Sequence, residues 1–218
     1  MPRPKNNLLH EQMTRAARRL FLEQGYAGTS YADIADACGV AKTNVQQHFP
    51  KKDLFIRDFF RDLLDESDAF FEARGERTDN YYVNLYRIGQ VFFAFLLSSE
   101  EMVRFTTDVI SHRELTEIMI DLEVDWATSY EVGFTKEELG TFADDIAMIM
   151  GGIYELLYRQ LRRGGTLSPQ EIQTRIMTLF AFTRGLSRAE TEALFPKDLI
   201  PEEEFTEAIR HLHKKLFS

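Results

Sequence analysis

The chain has 218 residues, 44% of them hydrophobic and 28% charged, with a formal net charge of −9. That is material for one large domain or a small one followed by a larger one, and no run approaches the roughly 18 unbroken apolar residues of a membrane span. A single cysteine, Cys38, excludes an internal disulfide framework, and the opening Met1-Pro2-Arg3-Pro4-Lys5 has no apolar stretch behind it as a secretory signal requires, so a reducing, cytoplasmic setting is expected.

The acidic total hides an asymmetry. Residues 1–57 hold nine Lys/Arg and five Asp/Glu, a net of +4, which leaves −13 on the rest. A basic head on an acidic body suits attraction of the head to phosphates, although small windows also fluctuate by a few charges.

Nearly every segment reads as helix. Leu9, Met13, Ala16, Ala17, Leu20 and Phe21 recur at three- and four-residue spacing, the stripe of an amphipathic helix, and Gly25 is placed to end it. Ser30 with Asp33 three residues on approximates a capping box for a second helix. Gly39 interrupts that helix, a third runs over about 42–49, and Pro50 closes it. A long helix is predicted over 51–74, with Phe55, Phe59, Leu63 and Phe70 along one side, then a polar turn over 75–79 and an aromatic-rich helix over 81–97. The stretch 100–131 reads as two shorter helices meeting near Ser111. Thr135-x-x-Glu138 opens a helix that runs to about 163 and ends at Gly164-Gly165. Ser168-Pro169-Gln170-Glu171 opens another to about 184, with Ser as N-cap and Pro at the first helical position. Helices over about 187–195 and 202–216 finish the chain. The fold class is therefore all-α: a three-helix head over 1–50, followed by a larger helical domain over 51–218.

The informative segment is 29–49. Two helices crossing steeply need a small residue at the crossing, which Ala35 supplies, and a turn residue that tolerates positive φ, which Gly39 supplies. Ile34, Val40, Val45 and Phe49 then fall where side chains pack inward. Left on the outer face of the third helix are Lys42, Thr43, Asn44, Gln46, Gln47 and His48. None is a carboxylate. Amides for base edges, and hydroxyls and lysine for phosphates or guanine, are what a helix in the major groove of duplex DNA presents. An ordinary polar surface helix would carry mixed charge.

The run Ala16-Ala17-x-x-Leu20-Phe21-x-x-x-Gly25-Tyr26-x-x-Thr29-Ser30-x-x-Asp33-Ile34-Ala35-x-x-Cys38-Gly39-Val40, continued by Lys42 to Pro50, resembles the start of the TetR family of bacterial transcriptional regulators. The resemblance is dense over about 10–60. It implies a helix-turn-helix, sequence-specific regulator with no catalytic site and no cofactor. The implied partners are a pseudo-palindromic operator, a second copy of the chain and a small-molecule effector. The commonest form it implies is a repressor that an apolar or amphipathic ligand releases from DNA. An activator, a ligand-independent regulator and a helical protein-interaction module remain as alternatives. The resemblance makes Thr29 and Tyr31 phosphate or groove contacts, Lys42, Thr43, Asn44, Gln46, Gln47 and His48 the recognition face, and Lys52 a phosphate contact at a helix N-terminus. Two positions depart from the family's pattern. Ala41 stands where a hydroxyl residue is usual, and Gln46 where Tyr is frequent, so an operator cannot be borrowed from relatives. Arg3 and Lys5 form a basic arm that either reaches DNA or is an unengaged tail.

In the body, Leu139, Phe142, Ala143, Ile146, Ile149, Met150, Ile153, Leu157 and Leu161 make one stripe, and Ala147, Tyr154 and Tyr158 widen it. A helix apolar on more than one side buries more than one side. The resemblance implies that helices 135–163 and 169–184 pair with those of a partner, which makes Ile149, Ile153, Leu157, Leu161, Ile176 and Phe180 the expected dimer residues. Gly151-Gly152 in mid-helix suggests close backbone approach or a bend. Sixteen of the 18 Phe lie after Pro50, with Trp126. Phe92, Phe93, Phe95, Phe105, Trp126 and Tyr154 are the candidates for an aromatic ligand cavity, and an ordinary aromatic core explains the same spacing.

No metal or catalytic constellation is legible. His211 and His213 diverge by about 200° on a helix, His112 with Glu114 lacks a third ligand nearby, and Asp144 and Asp145 point apart.

Overall fold

The computed structural model describes residues 4–129, 135–165, 167–195 and 200–217, without the side chains of 4–7. The arm residue Arg3 and the side chain of Lys5 therefore lie outside the described part. The described residues form α-helices and no strand. The head contains α1 (Pro4–Gly28), α2 (Tyr31–Cys38) and α3 (Lys42–His48). The rest contains α4 (Asp53–Ala73), α5 (Tyr81–Leu96), α6 (Glu100–Ser111), α7 (Arg113–Ser129), α8 (Lys136–Arg162), α9 (Pro169–Thr183), α10 (Arg188–Leu194) and α11 (Glu202–Phe217). Among the described residues no helix is long and apolar enough to cross a membrane.

Local chemistry sets the boundaries. Ser30 and Asp33 cap α2 reciprocally, and the same box opens α8 (Thr135/Glu138), α9 (Ser168/Glu171, with Pro169 at the start) and α10 (Ser187/Glu190). Each box satisfies two otherwise orphaned N–H groups. Gly25, at φ 79° and ψ 164°, breaks α1 before a last short turn, and Gly39 closes α2 in the left-handed region at φ 66°. α3 starts at Ala41 with no side-chain cap, as the missing hydroxyl predicts.

α1 packs on α2, α4, α6 and α11, so the head is seated on the body through several helices. α5 crosses α9 with Gly89 beneath Gln173: a Cβ there would sit 2.3 Å from the Gln173 amide. A side chain there would push the Gln173 amide off its bond to the Leu85 carbonyl. Gly151 is in ordinary contact with Ile120 and Gly152 opens onto the surface, so within the subunit neither meets a close neighbour.

The C-terminal helix returns to the head. Arg18, only 5% exposed, donates to the Leu216 carbonyl at 3.1 Å, to the Asp58 carbonyl at 3.3 Å and to Asp62 at 2.5 Å. Arg19 donates to the Phe217 carbonyl at 2.6 Å. Two of the cations that make the head basic are thus engaged in internal bonds, and the head's charge overstates what it offers to phosphates.

Candidate nucleic-acid interface and body cavity

The third helix is held from beneath. Val45 and Phe49 are buried, and Phe49 stacks between Phe55, at a ring separation of 3.7 Å, and His10, at 4.4 Å. Two inward anchors four residues apart fix the rotation of a seven-residue helix. Lys42, Thr43, Asn44, Gln46 and Gln47 are all exposed as a result. His48 is half-buried beside His10, and burial, with His10 second, lowers its pKa. Five of the six residues predicted for the recognition face therefore share one open surface, and the sixth sits at its edge.

The flanking residues behave differently. Thr29 is 1% exposed and donates its hydroxyl to the Gly25 carbonyl at 2.8 Å. Tyr31 donates its hydroxyl to the Phe49 carbonyl at 2.8 Å, and burial raises its pKa. Lys52 donates to the Tyr26 and Thr29 carbonyls at 2.7 and 3.1 Å and lies 4.0 Å from the centre of the Tyr26 ring, with burial lowering its pKa. In this conformation these three side chains brace the head internally. The resemblance implies phosphate or groove contacts for Thr29 and Tyr31 and a phosphate contact for Lys52; here each of the three bonds to backbone carbonyls of the head.

In the body, α4, α5, α7, α8 and α9 surround a narrow cavity of about 80 Å³. Phe92, Phe93 and Trp126 line it, as do Glu123 and Gln173. Of the other predicted ligand residues, Phe105 packs instead against Phe21, Phe59 and Phe60, and Phe95 against His213 and Phe217. Tyr154 stands behind the lining, its hydroxyl donating to Glu123 Oε1 at 2.5 Å. Glu123 went unread because one carboxylate in an acidic chain carries no signal of burial.

The residues predicted for the dimer are mostly inside their own subunit. Ile149, Ile153, Leu157, Ile176 and Phe180 are buried, and Leu161 is half-buried. Ile149 and Ile153 do reach the floor of a groove between α8 and α9. What α8 and α9 expose along that groove is Met148 (65%), Leu179 (47%) and Phe182 (51%), with half-buried Leu156 and exposed Gly152 between them. On α8 the side that carries Phe142, Ile149, Ile153, Tyr154 and Leu157 faces inward, and Met148, Gly152 and Leu156 face the groove.

This geometry is a helix-turn-helix head on an all-helical body. Residues 14–57, which span that head, match the family described as bacterial regulatory proteins, tetR family. No curated protein matches the sequence. Among solved structures, one assigned to the TetR-family transcriptional regulators of Mesorhizobium loti MAFF303099 is 15% identical, covering 84% of this chain and 98% of that one, with a TM-score of 0.46. Another, assigned to the tetR-family regulators of Shewanella sp. PV-4, is 16% identical, with 80% and 97% covered and a TM-score of 0.44. A gamma-butyrolactone receptor (ArpA-like protein) is 17% identical, with 84% and 99% covered and a TM-score of 0.38. The likeness to the tetR family therefore lies in the head.

Proposed function

We propose that the protein is a dimeric, sequence-specific repressor whose operator affinity falls when a small apolar or amphipathic molecule enters the body cavity. The observation that carries the DNA-reading half is the open, carboxylate-free face of α3, with Lys42, Thr43, Asn44, Gln46 and Gln47 exposed together over the buried Val45 and Phe49. On this reading residues 1–50 are the reading head, residues 51–218 are the effector and dimerisation domain, and His48 joins the face when its ring swings outward. Thr29, Tyr31 and Lys52 hold α2 and the start of α4 in position, so their backbone and not their side-chain atoms faces phosphate.

The second copy docks through the groove between α8 and α9, with Met148, Gly152, Leu156, Leu179 and Phe182 at its centre and Ile149 and Ile153 beneath them. Two heads about 34–36 Å apart then reach successive major grooves of a pseudo-palindrome. Phe92, Phe93 and Trp126 supply the ligand-facing aromatics. A ligand favouring the splayed state lowers operator affinity by its differential affinity and no more. Selection of retained duplexes from a random pool, at a stated salt concentration, tests the reading. Enrichment of an inverted repeat with half-sites one turn apart supports it. A stable dimer that enriches nothing removes it.

A further inference from the structure

The body cavity is apolar except at two places, and they differ. Gln173 already gives its amide N–H to the Leu85 carbonyl at 3.0 Å. Glu123 on α7 is only half committed: Oε1 accepts the Tyr154 hydroxyl, while Oε2 is shut off from solvent and has no hydrogen-bond partner among the described residues. A tie between α7 and α8 needs one acceptor oxygen, and a glutamine would supply it. A carboxyl with a free oxygen beside a cavity costs stability and adds nothing to that tie. Trp126 lies three residues on, on the same face of α7, and Phe92 and Phe93 complete an aromatic wall. Aromatic faces with one carboxylate among them are the surroundings in which an organic cation replaces its hydration.

We propose that the cavity binds a lipophilic organic cation, an ammonium or amidinium group on an apolar body, with Glu123 as its counter-ion. This rests on reading the body as a ligand-binding domain. Desolvation pushes the Glu123 carboxyl up to about 8, with the Tyr154 hydrogen bond working against the rise. Tyr154 on α8 is the one titratable group touching it among the described residues, and the lining from α4, α5 and α9 carries none. At neutral pH the empty site therefore holds a protonated carboxyl. A permanent cation displaces that proton to solvent and pairs with the carboxylate that is left. A neutral amine takes the same proton and becomes the ammonium ion.

The test uses an isosteric pair, phenyltrimethylammonium and uncharged tert-butylbenzene, titrated into the full-length protein between pH 6 and pH 9. The fluorescence of Trp126, the chain's single tryptophan, reports binding. The cation is expected to bind at least tenfold more tightly than the neutral isostere at pH 8. Its affinity is expected to rise by up to about tenfold per pH unit below that and to flatten above it, because one proton is released per cation bound. The isostere's affinity stays flat. Glu123→Gln abolishes the cation preference and the pH dependence while keeping tert-butylbenzene binding. Tyr154→Phe keeps the carboxyl, loses the hydrogen bond that favours its charged form, and moves the rise to higher pH. Equal binding of the two probes, or a cation preference that survives in Glu123→Gln, overturns the proposal. Binding of the isostere alone overturns the counter-ion role and leaves a ligand-binding body. Binding of neither probe removes both.

Discussion

The carboxylate of Asp108 on α6 accepts the backbone N–H of Tyr26 at 2.7 Å, which places a body side chain directly on the break in the head's first helix. The break leaves that N–H without an intrahelical partner, and Asp108 supplies one from another part of the fold. His112, also at the end of α6, meets the Tyr26 ring edge-on, and Lys52 covers its face. A movement of α6 thus reaches the head without passing through α4.

Asp108→Ala is expected to lower the free energy of unfolding by about 1–3 kcal/mol, the cost of leaving a buried donor unpaired. It is also expected to blunt any ligand effect on operator affinity, because one of the ties between body and head is gone. Gly25→Ala is expected to cost a similar amount, about 1–3 kcal/mol, because its φ of 79° with ψ of 164° suits glycine alone and a Cβ would meet Asp108 Oδ2 at 3.3 Å. Denaturant unfolding of both single variants and the double variant measures this. The two effects should fall short of additivity because they act on one junction.

On the recognition face, Gln46→Ala and Gln47→Ala are each expected to cost about 1–3 kcal/mol on the selected operator and to relax preference at one base position. Lys42→Ala should weaken all duplexes alike and reduce the salt slope by about 1. Titrations of operator and scrambled duplex at several salt concentrations separate these outcomes. A Gln47→Ala protein with unchanged affinity and preference would take that residue out of base reading.

Arg18 offers a contrasting case, a cation in the basic head that serves the fold. It is buried between α1, α4 and α11, paired with Asp62 and bonded to two carbonyls, and desolvation lowers its pKa despite that pairing. Arg18→Ala is expected to destabilise the protein by about 3–5 kcal/mol, since it strips a buried network of its centre. Operator affinity per folded molecule should change little. A change confined to DNA binding, with thermal stability intact, would contradict this placement.

The pH dependence of stability has a worked sign at Glu123. Its carboxyl is raised from an ordinary 4.5 to about 8, so between those values the folded state holds a proton that the unfolded chain has lost. This contribution is fully present below about pH 4.5 and is lost as pH rises through about 8. Glu123→Gln carries no such group. The stability difference, Glu123→Gln minus wild type, should therefore grow from pH 5 to pH 8 and level off above it. A difference independent of pH would mean that the carboxyl is not desolvated as described.

What was legible in the chain is what local chemistry decides. Ser30/Asp33, Thr135/Glu138 and Ser168/Glu171 announce helix starts because a cap and its partner are three residues apart, and Gly39 announces a turn because few residues adopt its φ. The α3 face was legible for the same reason, since Val45 and Phe49 fix its rotation within one turn. Lys52 and Arg18 were not, because their partners lie on other elements: the Tyr26 and Thr29 carbonyls beside the α1 break, and Leu216 nearly two hundred residues away. Glu123 is the extreme case. Nothing near it in sequence indicates that four other helices close over it.

The apolar residues that α8 leaves open, Met148 and half-buried Leu156, belong to neither side of the stripe read from the sequence, whose Phe142, Ile149, Ile153 and Tyr154 are buried, and that difference sets the last prediction. Phe182→Glu or Met148→Glu is expected to dissociate the proposed dimer and leave the monomer folded, because these side chains are exposed in the single subunit and their replacement disturbs no core. Two-fold symmetry places each introduced charge at the interface twice, so the repulsion and desolvation are doubled in one contact. Leu157→Ala tests the opposite side: this fully buried residue should cost about 2–5 kcal/mol of fold stability with no selective effect on assembly. Sedimentation velocity gives the assembly state, and circular dichroism shows whether the helices persist. Loss of operator binding should accompany dissociation, because a lone head keeps only one half-site. If Phe182→Glu remains dimeric while Leu157→Ala dissociates without unfolding, the partner docks on that opposite side and the subunit must rearrange to expose it.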